Sequence, residues 1–410
     1  MKSTTTKQKG GILAVISLSS IPLVMTLGNS MLIPVLPTME KELNISPFQS
    51  SLIITIYSIF AIICIPIAGY LSDRIGRTKV IAPSLILAGI GGAIAGFAAG
   101  MDDKAYLIVM MGRVLQGIGA AGAMPIVLPL VGDFFGDDEK KVSSSLGKIE
   151  TANTFGKVLS PILGAFLAGL FWYLPFYAIP VLCALSIILI LLFVKPPKTK
   201  QESTPFREFI HSLKDIFKRE GRWLYAIFAI GGIIMLVLFG VLFYLSNTLE
   251  KEQAVTGIKK GLFLSIPLVS LCLASYVTGE KIEKNKVLMK WVIVIGLTLS
   301  AMTLCVAAFM DSVWWLLAII FVSGIGIGAS LPALDALITE GIEKEERGTI
   351  SSLYSSMRFI GVAVGPPLFA VLMNDYDQWI FFAAALFCLP ALLLSFFAIK
   401  PEKERKLQHI

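Results

Sequence analysis

Gly69-Tyr70-Leu71-Ser72-Asp73-Arg74-Ile75-Gly76-Arg77-Thr78-Lys79 is a short polar segment between two long apolar runs. Residues 48–68 before it carry no charge, and neither do residues 80–100 after it. A chain that leaves a bilayer and re-enters it at once must turn within such a segment. Gly76 suits the turn because it has no Cβ to forbid positive φ. Arg74, Arg77 and Lys79 suit a cytoplasmic loop, where basic residues are retained. Asp73 is placed to accept from an arginine or from the first amides of the following helix.

Working outward, the whole chain repeats this alternation. Its 410 residues are 56% hydrophobic and only 15% charged, well short of the quarter usual in soluble domains. A membrane-spanning helix needs about 20 apolar residues. Twelve runs meet that need: 12–36, 48–71, 80–100, 105–131, 144–170, 174–194, 223–246, 260–279, 288–309, 313–338, 349–372 and 378–399. The predicted fold class is therefore an all-α membrane protein of twelve transmembrane helices. The first run is too long for a signal peptide and has no cleavage-site flank. All five cysteines (Cys64, Cys183, Cys272, Cys305 and Cys388) fall inside runs, so they read as packing residues rather than a disulfide framework or a metal cluster.

The formal charge of +7 does not indicate a nucleic-acid partner, because of where the bases lie. Most of the 35 Lys+Arg fall in the termini and in the loops on the same side as them. The opposite side holds Lys41, Lys104, Lys251, Lys259 and Lys260. This asymmetry predicts a plasma-membrane protein with both termini in the cytoplasm.

Six segments add chemistry to this frame. The polar segment 69–79, a clasp between runs 2 and 3, fits G-x-L-[SA]-D-R-x-G-R-x-K. Run 4 contains Gly112-Arg113-Val114-Leu115-Gln116-Gly117, with Arg113 roughly 12 Å from the outer end at 1.5 Å per residue. An arginine at that depth must face water or the bundle interior and find acceptors. Asn29, in a first run interrupted by Pro22, Gly28 and Pro34, lies at a comparable depth. Run 5 carries Gly147, Gly156, Ser160, Pro161, Gly164 and Ala165, in the pattern G-x8-G-x3-[GS]-P-x2-G-[GA]. Its small residues recur every fourth position and permit close helix approach. The same run carries Glu150, Asn153 and Lys157; Glu150 and Lys157 are seven apart and project from nearly one face. Run 10 carries Asp335 and run 11 carries Arg358.

The clasp, the R-x-x-Q-G pattern and the run-5 pattern together resemble the major facilitator superfamily, its twelve-span drug:proton antiporters in particular. The resemblance covers essentially the whole chain, although Ser160 and Ala165 replace two glycines of the antiporter pattern. It implies two six-helix halves, residues 1–194 and 223–399, a cytoplasmic linker over 195–222 and a cytoplasmic tail over 400–410. Parallels between the halves agree with it. Ile325-Gly326 through Pro332 matches Ile118-Gly119 through Pro125, and Gly361, Gly365 and Pro366 match Gly156, Ser160 and Pro161. Gly279-Glu280-Lys281 stands where the clasp would recur, without its Asp-Arg order. Thr204-Pro205 and the apolar spacing from Phe206 to Phe217 predict a basic amphipathic helix in the linker.

The resemblance also implies alternating access powered by the proton gradient, with no cofactor, and export of amphipathic small molecules or drugs. A dedicated exporter of a metabolite, siderophore or lipid is the alternative within transport; a non-transporting sensor or scaffold is the alternative outside it. No G-x-x-x-x-G-K-[ST] occurs, which speaks against an ATP-driven pump, and no catalytic triad order suggests an enzyme. Glu150 and Asp335 are the only acids inside the runs, the remainder reading as loop or terminal residues. Glu150, Arg113 and Asp335 are the expected proton-coupling residues, with Glu150 favoured as the carrier. Asn29, Gln116, Asn153, Lys157 and Arg358 are expected to line the substrate cavity. Protonation of Glu150 is expected to release Lys157 for an anionic group of the substrate. Gly69, Asp73, Arg74, Gly76 and Arg77 form the expected clasp, with Asp73 and Arg77 holding the inner ends of the halves together in the outward-facing state. The expected partners are the substrate, protons and the lipid bilayer, and the expected functional form is a monomer.

Overall fold

The structure, a computed structural model, describes residues 2–98, 101, 104–135, 139–194, 215–282, 285–310, 312–342, 346–375 and 379–400. Most of the predicted amphipathic linker helix lies outside the described residues; residues 215–220 at its end are helical. Among the described residues there are no strands, and every long element is a helix. Eleven of these are long and apolar enough to span a membrane. The twelfth span is α7 below, 32 residues long, which polar and charged side chains make too hydrophilic to qualify by composition alone.

The chain forms two compact units. The first comprises Met1–Ser203 with Thr256–Gly261. It contains α1 (Lys2–Ser30), α2 (Leu36–Glu42), α3 (Pro47–Ile75), α4 (Arg77–Phe97), α5 (Ala105–Ala123), α6 (Val127–Phe135), α7 (Glu139–Leu170) and α8 (Leu174–Phe193). Two predicted single runs are broken helices. Run 1 passes from α1 through a 3-10 turn, Ile33–Val35, into α2, and run 4 is divided into α5 and α6. Pro34 and Pro37 lie at the first break and Pro125 at the second. A proline has no N–H to continue the helical ladder, and its ring crowds the preceding turn.

Within this unit α4 packs on α5 and α8, α3 on α5, and α1 on α7 and α8. Gly91 and Gly112 let α4 and α5 touch backbone to backbone: a Cβ on either would stand 2.5 Å from the other's carbonyl oxygen. Lys260, fully buried near the end of the short segment that joins this unit from far along the chain, donates from Nζ to the Pro34 carbonyl at 2.6 Å.

The second unit comprises Thr204–Val255 with Leu262–Ile410. Its helices are α9 (Arg222–Lys251), α10 (Gly257–Lys281, whose first turn belongs to the first unit), α11 (Lys286–Ala307), α12 (Val313–Gly341), α13 (Arg347–Asp375) and α14 (Ile380–Phe397). It repeats the packing scheme: α11 meets α12 through Gly296 and Gly326, and α9 packs along α13 and α14. Ser300 Oγ and Ser330 Oγ bond carbonyls one turn back beside the same seam, so these hydroxyls are satisfied without water.

Helices outrun their apolar stretches, which corrects the placement of several acids, two of them buried. Glu40 and Glu250, expected in loops, lie in α2 and at the end of α9 and are 7% exposed. Glu40 accepts from Ser50 Oγ at 2.7 Å.

Candidate functional site

At one end of the first unit, α3 stops at Gly76, whose φ of 105° no β-carbon-bearing residue adopts readily, and α4 begins at the next residue. Arg77 therefore opens α4 four residues after Asp73 and reaches it, Nη1 to Oδ1 3.0 Å. Its Nε donates to Asp133 on α6. The clasp thus ties α3, α4 and α6 within a single unit. Asp133 was not anticipated, because a lone acid following Gly132 has no motif around it. Gly69 accepts from Ser72 Oγ at 2.8 Å through its carbonyl, and Arg74 is exposed. Asp73→Asn keeps the shape of the side chain but removes the charge opposite Arg77. Transport by this variant is expected to fall severalfold with unchanged expression; wild-type transport rates in vesicles would contradict a role for the clasp in function.

The centre of the first unit is a buried hub. Arg113, on α5, is 0% exposed. Its Nε donates to the Ile53 carbonyl at 2.9 Å and its Nη1 to the Gly28 carbonyl at 3.3 Å and to Gln116 Oε1. Nη2 donates to Asn29 Oδ1 at 2.6 Å, and the guanidinium lies 4.3 Å from the centroid of the Tyr57 ring. All these partners are neutral. They share the positive charge among oxygens of α1, α3 and α5, together with one aromatic face. Asn29 and Gln116, expected in the substrate cavity, come together here with Arg113. Tyr57 and the two carbonyls were missed, since an apolar run does not reveal which of its residues turns inward. Gln116 Nε2 is buried without a hydrogen-bond partner, so the hub retains one unspent donor.

On α7, Glu150 accepts from Asn153 Nδ2 at 3.2 and 3.3 Å, through both carboxylate oxygens. Asn153 Oδ1 accepts in turn from Thr26 Oγ1 of α1. Thr26 carried no sequence signal, because threonine is common in transmembrane helices. Gly156 and Gly164 lie against α1: a Cβ on Gly156 would meet Leu23 Cδ1 at 3.1 Å, and one on Gly164 would collide with the Met31 backbone. Ser160 is fully buried and donates to the Gly156 carbonyl at 2.6 Å. Pro161 removes the amide that would have bonded the Lys157 carbonyl, loosening α7 midway. Gly147, by contrast, faces open space, so the first glycine of the pattern serves no packing seam here.

In the second unit Arg358 of α13 pairs with Asp335 of α12, Nη1 to Oδ1 3.6 Å, and lies 5.7 Å from the centroid of the Tyr354 ring. Both charged side chains keep some exposure, 18% and 36%. The two carboxylates keep different company: Glu150 is amide-bonded and Asp335 is arginine-paired.

A family model described as Major Facilitator Superfamily matches residues 18–289 and 285–409. The bacillibactin exporter of Bacillus subtilis is 55% identical over 96% of this chain and 98% of its own length. The multidrug resistance protein MdtG of Salmonella heidelberg is 26% identical over 90% of each chain. The class B tetracycline resistance protein of Escherichia coli is 23% identical over 95% of this chain and 98% of its own. Among solved structures, the human organic anion transporter MFSD10 (TETRAN) superposes with a TM-score of 0.74, covering 94% of this chain and 99% of that one at 16% identity. With a buried arginine hub, glycine seams inside each unit and a family-model match spanning most of its length, this chain is a multi-pass transporter and belongs to the Major Facilitator Superfamily.

Proposed function

We propose that the chain is a dedicated exporter of bacillibactin or a compound of that class, driven across the plasma membrane by exchange for protons. The observation that carries this is the 55% identity to the bacillibactin exporter over nearly the full length of both chains. General multidrug efflux, which the sequence motifs favour, is supported by relatives at only 26% and 23% identity. The test uses a bacterium that makes bacillibactin but lacks its exporter. Expressing this chain should restore the compound to the medium; a medium left unchanged while tetracycline accumulation drops would favour the drug pump instead.

Proton exchange constrains which group of the substrate meets the carboxylate. If protonated Glu150 merely freed Lys157 for a substrate anion, proton and substrate would bind together. Linkage would then carry both in one direction, which is cotransport. Antiport needs competition, so the substrate must offer Glu150 a hydrogen-bond donor or a cation that the carboxylate accepts only when ionised. The expected scheme with Lys157 is accordingly replaced by direct competition at Glu150.

With both termini cytoplasmic, single cysteines replacing Lys41 and Lys251 should react with impermeant thiol reagents added outside intact cells, and one replacing Lys200 should not. Labelling at position 200 would reverse the orientation.

A further inference from the structure

We propose that Thr26 and Asn153 form a relay that reports the protonation of Glu150 to α1. The proposal rests on Glu150 as the proton-coupling carboxylate. Thr26 is 9% exposed and Asn153 3%, so their hydrogen bonds form largely away from water. An ionised carboxylate only accepts, so the Asn153 amide must turn its Nδ2 to Glu150, as the distances of 3.2 and 3.3 Å record. That leaves Oδ1 for α1, and Thr26 Oγ1 must then donate.

Protonation removes the constraint. A neutral carboxyl carries an O–H, and the amide can then turn over, with Oδ1 accepting from Glu150 and Nδ2 donating to Thr26 Oγ1. The Thr26 proton then needs another acceptor, and the carbonyl four residues back, that of Pro22, is in reach on the same helix. Hydroxyls of this chain bond that way at Ser17 to Leu13, Ser58 to Ile54 and Thr154 to Glu150. Only one proton enters, from water to Glu150; everything else is reorientation. Three residues after Thr26, Asn29 holds Arg113, so the chain of bonds ends one helical turn from the buried hub.

Other ionisable groups near this chain of bonds are few. On α7 itself they are Lys148 and Lys157. Among the elements packed against α7, α1 has no ionisable side chain between Gly11 and Ser30, α6 has Asp133, α8 has Tyr177 and Cys183, and the first turn of α10, whose Gly261 lies against Pro161, has Lys259 and Lys260. None of these is among the hydrogen-bond partners of Asn153 or Thr26. Thr26→Val therefore deletes the relay without deleting a charge. In the ionised state the hydroxyl polarises the amide and strengthens its donation to a charged acceptor, whereas in the neutral state it serves a weaker bond. Its loss should let Glu150 keep its proton to higher pH.

The experiment is infrared titration of the full-length protein in lipid. The Glu150 carboxyl C=O band is identified by its absence in Glu150→Gln. Its pH midpoint should move up by about 0.5–1 unit in Thr26→Val, return in Thr26→Ser, and move up in Asn153→Leu. An unchanged midpoint in Thr26→Val, or in Asn153→Leu should the former not fold, overturns the relay. The pH dependence of transport by Glu150→Gln tests the coupling role separately. If that dependence matches wild type, Glu150 is not the coupling residue, whatever its band does.

Discussion

Arg113→Leu is expected to abolish transport and to lower the stability of the protein by about 1–3 kcal/mol for each buried acceptor it leaves without a donor. Removing the guanidinium strands Asn29 Oδ1, Gln116 Oε1 and the Gly28 carbonyl near the end of α1, and takes a second donor from the Ile53 carbonyl inside α3. A leucine fills the space but offers no donor, and each stranded acceptor costs its own desolvation. Arg113→Lys keeps the charge, but an ammonium carries three hydrogens on one atom and lacks the planar fork that reaches three helices at once. It should retain folded protein and lose most transport. Thermal unfolding in detergent and transport in vesicles check both variants. Wild-type transport by Arg113→Lys would show that the charge alone matters and that the geometry of the hub does not.

The second large effect is expected at Gly164, and its control lies in the same motif. Any side chain at Gly164 runs into the Met31 backbone where α7 crosses the end of α1. Backbone cannot move aside as a flexible side-chain tip can, so the two helices must separate. Gly164→Ala should cost about 1–3 kcal/mol and Gly164→Val more, with little folded protein recovered from the membrane. Gly147, seventeen residues earlier, has nothing within 4 Å of its would-be Cβ. Gly147→Ala should therefore be harmless, and stabilising by up to about 1 kcal/mol through helix propensity. Equal damage at both positions would mean that the motif acts through something other than packing.

The contrast between Gly147 and Gly164 shows how far a pattern can be read. The spacing of Gly156, Ser160 and Gly164 predicts a stripe, and two of its members do lie against α1. Gly147 fits the pattern equally well but falls on the open part of α7. A motif records residue identity and spacing, whereas contact depends on where the partner helix crosses.

By itself the sequence determined the number of spans, the turn at Gly76 and the presence of an arginine and two carboxylates within apolar runs. It does so because charge and hydropathy act locally: twenty apolar residues must leave water whatever their neighbours are. The superfamily was legible in the clasp, the R-x-x-Q-G run and the antiporter pattern. Only the tertiary structure decided that Arg77 reaches Asp133, that Tyr57 lies beneath Arg113, that Thr26 completes the chain to Glu150, and that Asp335 meets Arg358. Each of these contacts joins different helices, with Asp133 56 residues from Arg77 and Thr26 127 from Asn153. Hydropathy is nearly uniform around a transmembrane helix, so it does not say which face turns inward. That choice is made by packing of small residues and by the need of each buried polar group for a partner.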